Sequence, residues 1–203
     1  MKSVYNFVVT PKGERYNNKK KIGDSELILN TEIYNHQYVN REAIVISAPI
    51  VGDTDIKPGD IVVVHHNVFR RWHNVKGIEK NSRSYFNEST YFINPDQIFL
   101  YKRDEEWIAP KGYCFIKPLK AINQFNIECE KPLQGIVKYS DGTVEVGDLI
   151  GYRPKTESEF IVDGERLYRV LSNLITIKYE YQGDEEEYNP SWTESSGRVN
   201  QGS

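Results

Sequence analysis

A chain of 203 residues has room for one or two domains. Its 38% hydrophobic and 27% charged content fits a folded chain rather than a disordered one. A net charge of −3 with acids and bases interspersed argues against nonspecific nucleic-acid binding, and no apolar run has the length of a transmembrane helix.

The pattern along the chain is all-β. Short runs rich in Val, Ile, Tyr and Phe alternate with Gly, Pro, Asn and Asp turns. Strands are expected near 4–10, 41–48, 60–67, 90–94 and 97–102. A second set is expected near 112–119, 133–139, 145–153, 157–162, 165–170 and 173–181. Residues 103–110 (RDEEWIAP) read as a linker, and 182–203 as a flexible acidic and polar tail. The pair Asp163-Gly164 predicts a two-residue hairpin turn, because positive φ at both central positions suits these residues. That turn sets Val162 opposite Glu165, Phe160 opposite Leu167 and Glu159 opposite Tyr168.

The two sets repeat one unit. IKPGDIVVV at 56–64 and VEVGDLIG at 144–151 each place a Gly-Asp pair on the turn into an apolar strand. Phe7 matches Phe115, Ile44 matches Ile136, Gly59 matches Gly147 and Ile98 matches Ile175. The spacing between matched positions shrinks along the chain, so strands are kept while loops shorten. Residues 1–102 therefore form one domain and 111–181 a second, and the first alone carries a long loop, 12–37.

That loop is polar and basic until Leu27-Ile28-Leu29, three adjacent aliphatic residues. They read either as a short strand that packs on the barrel or as an adhesive tripeptide that orders on binding a partner, since contiguous exposed aliphatics mark an interaction site. Burying three of them yields about 5–8 kcal/mol gross. Fixing about four or five loop residues costs about 1–2 kcal/mol each. One loop therefore gives little net affinity, and several loops on one rigid ring are needed for useful binding.

On these residues the chain resembles tandem GroES-type co-chaperonins. Gly23 with Leu27-Ile28-Leu29 follows the mobile-loop layout of that family, although three residues separate the glycine from the triplet. Gly59-Asp60 and Gly147-Asp148 match its central-strand turn. Residues 159–177 (EFIVDGERLYRVLSNLITI) follow its last hairpin. The tandem form, rich in Asn, Lys, Tyr and Ile, is similar to phage-encoded co-chaperonin-like proteins. The resemblance implies two tandem GroES-like small β-barrels with a mobile loop in the first. It also implies a homo-oligomeric ring that caps a chaperonin. Leu27, Ile28 and Leu29 would bind the chaperonin's apical domains, an unfolded client would be enclosed, and the chaperonin would hydrolyse the ATP. The chain departs from the family at 65–89, an insertion where a short hairpin is expected, and at 120–131, which lacks an aliphatic triplet.

The insertion contains further candidates. Arg70, Arg71 and Trp72 form a possible contact patch, since Arg and Trp are favoured at interfaces. His65, His66 and His73 raise a metal site. Two adjacent strand residues point to opposite faces, however, and no carboxylate trio accompanies them, so they read as polar face residues. No phosphate loop or nucleophile elbow is present, so no enzyme activity and no cofactor are expected. Cys114 and Cys129 read as reduced thiols. The N-terminus lacks a signal-peptide core, so a cytoplasmic location is expected, the host cytoplasm if phage-encoded. The competing role is a structural or virion-associated β-barrel protein, because fold does not dictate function.

Overall fold

A computed structural model describes residues 3–16, 19–22, 25–28, 38–122, 128–180, 183–188 and 200–201. The chain forms two compact units, Met1–Glu106 and Trp107–Ser203.

The first unit contains β1 (Phe7–Pro11), β2 (Lys19–Ile22), β3 (Ser25–Ile28), β4 (Glu42–Ser47), β5 (Ile61–Val64) and β6 (Arg71–His73). It continues with β7 (Glu79–Asn81), β8 (Tyr85–Asn87), β9 (Thr90–Ile93), β10 (Ile98–Arg103) and β11 (Glu106–Ile108), within which the unit boundary falls. The main sheet runs β11-β10-β5-β4-β1-β9-β8, while β2-β3 and β6-β7 form separate two-stranded sheets. Phe7, Val62, Val63, Val64, Ile93, Ile98 and Leu100 are fully buried, so the central strand β5 is covered on both faces of the main sheet.

The second unit contains β12 (Tyr113–Ile122), β13 (Glu128–Tyr139), β14 (Leu149–Tyr152), β15 (Ser158–Val162), β16 (Glu165–Leu171), β17 (Ile175–Tyr179) and β18 (Asn200–Gln201). Its sheet runs β17-β14-β13-β12-β16-β15-β18. Replacing each strand by its repeat partner turns β10-β5-β4-β1-β9-β8 into β17-β14-β13-β12-β16-β15. The duplication read from the sequence is thus a duplication of sheet order.

The Gly-Asp turns repeat atom for atom. Gly59 and Gly147 both take positive φ, at 96° and 93°, where a Cβ would be strained. Their amides donate to Val45 O and Val137 O, each at 2.8 Å. Asp60 Oδ2 accepts the Lys57 amide at 2.8 Å, and Asp148 Oδ2 accepts the Glu145 amide at 2.9 Å. Each aspartate side chain thereby closes its own turn and starts the central strand.

Neither large sheet closes on itself among the described residues, so the expected small barrels are open sheets. One physical reason is strand length, since β8 and β11, at the two ends of the first sheet, have three residues each. Register shifts in the β1–β4 and β10–β5 ladders let the sheet bend without closing.

Two hairpins show how turn chemistry sets register. Asp163 and Gly164 both have positive φ, and β15–β16 pairs without a bulge: Val162 with Glu165, Phe160 with Leu167, Glu159 with Tyr168. In the first unit Glu88-Ser89 occupies the same place, and the β8–β9 ladder shifts between Tyr85 and Asn87. Without a residue suited to positive φ, the turn is matched to the strands by a bulge.

Three segments depart from the sequence reading. Residues 103–110 are not a bare linker: β10 ends in the segment and β11 lies within it, with Asp104 and Glu105 at positive φ between them. Of the insertion 65–89, residues 85–87 are the repeat strand β8, and Val68 and Phe69 are fully buried. Residues 183–188 of the expected flexible tail lie on the second unit. The Lys120 amide donates to Glu186 O and the Tyr188 amide to Pro118 O, each at 2.8 Å. Only residues 113–116 of β12 pair with β16, so the tail satisfies backbone groups that β16 leaves uncovered.

Candidate functional site

The features that distinguish the first unit are built on one another. The 12–37 loop leaves β1 and is pinned at its neck. Asn40, 3% exposed, donates its side-chain amide to Lys12 O and Glu14 O, at 3.0 and 2.9 Å. The Asn40 backbone amide donates to Arg15 O at 2.9 Å, and Tyr16 bridges Val39. Three side-chain and backbone donors of one buried residue thus hold the two ends of the loop together.

Arg15 and Tyr16 then reach into the 65–84 insertion. The Arg15 guanidinium donates to Phe69 O at 3.1 Å and to Asn81 Oδ1 at 2.8 Å. It lies over the rings of Tyr85 and Tyr91, at 5.3 and 5.5 Å. Burial pushes the Tyr91 phenol up to about 12 against the opposing pull of Arg15, so it stays neutral beneath the cation. The Arg71 amide donates to Tyr16 Oη at 2.8 Å, and the Arg71 guanidinium lies 5.2 Å from the centre of the Tyr16 ring. Phe69 meets Tyr91 edge to face at 4.7 Å and joins this platform to the core.

Beyond the neck, β2 pairs with β3 so that Lys19 lies opposite Ile28 and Lys20 opposite Leu27. Leu27 is 50% exposed. Ile28 ends β3, while Gly23 and Leu29 lie outside the described residues. The second unit has a different device at the equivalent place. Its β12 and β13 continue as one arm, pairing Lys120 with Glu130 and Ile122 with Glu128, and Ile122 is exposed.

Arg70, Arg71 and Trp72 take different positions. Arg71 is held by Tyr16, by Glu79 at 3.3 Å and by β7, whereas Trp72 is partly exposed. Arg70, Trp72 and His73 line a cavity of about 660 Å³ with Asn67, Ser82, Arg83, Ser84 and Gln97. The opposite-face reading of His65 and His66 is corrected. Strand β5 ends at Val64, the chain turns with the Val68 amide donating to His65 O, and the two rings sit 4.3 Å apart. Arg41 donates to His66 Nδ1 at 3.1 Å, which assigns the ring proton to Nε2. Among the described residues no group of three or more His, Cys, Asp or Glu side chains converges as a metal site. Both cysteines are free, and Cys114 is buried beside Ser172 Oγ at 3.4 Å.

The Arg15 clamp was not visible in the sequence, because its partners lie 54 and 66 residues away. The class defined here is an all-β protein of two units with one repeated sheet order. No protein-family model matches the chain, and no curated protein matches it. No helix among the described residues is long and apolar enough to cross a membrane.

Proposed function

We propose that the chain is a non-enzymatic co-chaperonin, built from two opened GroES-like units and assembled as a homo-oligomeric ring over a chaperonin cavity. The first unit grips the apical domains through Leu27, Ile28 and Leu29, and the second enlarges the wall around the unfolded client. One observation carries the reading: the 12–37 loop rises from a neck fixed by Asn40, Arg15 and Tyr16, and its β3 strand presents Leu27 half-exposed. An adhesive hairpin on a rigid base loses less freedom on binding than an unanchored loop. Sharing the load among several copies in a ring then supplies affinity.

The test is co-sedimentation of the full chain with a GroEL-type chaperonin in ATP. The natural chain is expected to co-sediment and Ile28→Asp to remain in the supernatant. Equal co-sedimentation of both would remove the loop from the interface.

A further inference from the structure

Among the described residues, the cavity of about 660 Å³ in the first unit is lined by side chains between positions 67 and 97. Its size lies within the range of small-molecule sites, about 300–1,000 Å³. Its charged lining is of one sign among the described residues: Arg70, Arg83 and His73 line it, and none of those described lining residues is a carboxylate. Neither Arg70 nor Arg83 has an ion-pair partner among the described residues, although Arg71, their neighbour in the insertion, is paired with Glu79. Trp72 adds a flat apolar face, and Asn67, Ser84 and Gln97 add neutral polar groups.

We propose that this cavity binds a small organic phosphate bearing a flat ring, of the nucleoside-monophosphate kind. Arg70 and Arg83 hold the phosphate, since the guanidinium fork matches its oxygens in pairs. Trp72 packs on the ring, as indoles do on planar groups. Two guanidiniums suit one phosphate, and the neutral amides and hydroxyl suit a sugar. This site is independent of the co-chaperonin reading and survives its failure.

Isothermal titration of the full chain with AMP, adenosine and inorganic phosphate tests the proposal. AMP is expected to bind saturably, with adenosine and phosphate each at least about tenfold weaker. Arg83 is exposed, so Arg83→Gln is expected to leave the melting temperature unchanged while weakening AMP about tenfold. Trp72→Ala is expected to weaken AMP but not phosphate. Absence of AMP binding by the folded natural chain would overturn the proposal, as would AMP binding indifferent to Arg83→Gln. Phosphate binding as tight as AMP would remove the ring from the site. A single-stranded oligonucleotide binding more tightly than AMP would replace the small ligand by nucleic acid.

Discussion

The Arg103 guanidinium grips both carboxylate oxygens of Asp60, at 3.0 and 2.6 Å. The equivalent Asp148 meets a single ammonium, Lys178, at 2.8 Å. Asp60 is the more buried of the two and also holds the Lys57 amide. Asp60→Ala is therefore expected to destabilise the first unit by about 1–3 kcal/mol, because it strips partners from a turn that starts a core strand. Asp148→Ala is expected to cost the second unit less, since its ion pair is exposed and single. Urea unfolding of both variants measures the difference, and equal losses would contradict the ranking.

The same aspartates set the response to acid. Burial pushes the Asp60 carboxyl up, but the hydrogen bonds from Arg103 and Lys57 outweigh it and leave its pKa below the ordinary 3.8. Lys178 lowers Asp148. Burial also raises Asp141, yet Thr143, Gly112 and Ser172 donate to it and the net shift is again downward. A depressed folded pKa means that the unfolded chain takes up protons first as pH falls. The stabilisation is thus complete at neutral pH and is lost as pH falls below about 4. Melting temperature against pH is expected to be flat near neutrality and to drop in that window. Asp-to-Asn changes at these three positions should lower the neutral plateau and flatten the drop.

The acidic tail makes a prediction of its own. Glu185 pairs with Lys131 at 2.7 Å, Glu186 with Lys120 at 3.2 Å and Glu187 with Lys117 at 2.8 Å. Three consecutive acids meet three separate lysines of β12 and β13 and hold the tail over backbone that β16 leaves uncovered. Individual exposed pairs are weak and salt-sensitive. Changing all three glutamates to lysine is expected to speed hydrogen exchange at the Tyr188 and Lys120 amides several-fold, and high salt should do so in the natural chain. Unaltered exchange in the triple variant would show that the backbone bonds suffice without the charges.

How much of this was legible depended on how local each signal was. The main strands were readable because alternation and turn residues lie within a few positions of each other, and Asp163-Gly164 fixed its ladder to the residue. Strand β8 was missed because Glu88-Ser89 carries no turn glycine. Val68 and Phe69 looked like part of a charged insertion, since neither Tyr91 nor Arg15 is near in sequence. The tail was read as flexible because its lysine partners are 54 or more residues away. For the candidate site, the aliphatic triplet and the loop length were readable, whereas the neck that braces them was not. The cavity lining was spread over residues 67–97 and gave no compact motif.

Gly135 offers a last test of the repeat. It occupies the position in β13 that buried Ala43 holds in β4. The two are not interchangeable. A Cβ at Gly135 would meet Lys117 O at 2.7 Å and Ile116 Cδ1 at 2.8 Å, and a backbone oxygen within a ladder cannot swing aside as a side chain can. Gly135→Ala is therefore expected to destabilise the second unit by about 1–3 kcal/mol through overpacking. Ala43→Gly should cost the first unit about 0.5–1 kcal/mol, mainly through added freedom of the unfolded chain. Hydrogen exchange at the amides of the β12–β13 ladder reads the second unit directly. A Gly135→Ala chain whose β12–β13 amides keep their natural protection would show that the two strands can part there, contrary to the close approach between them.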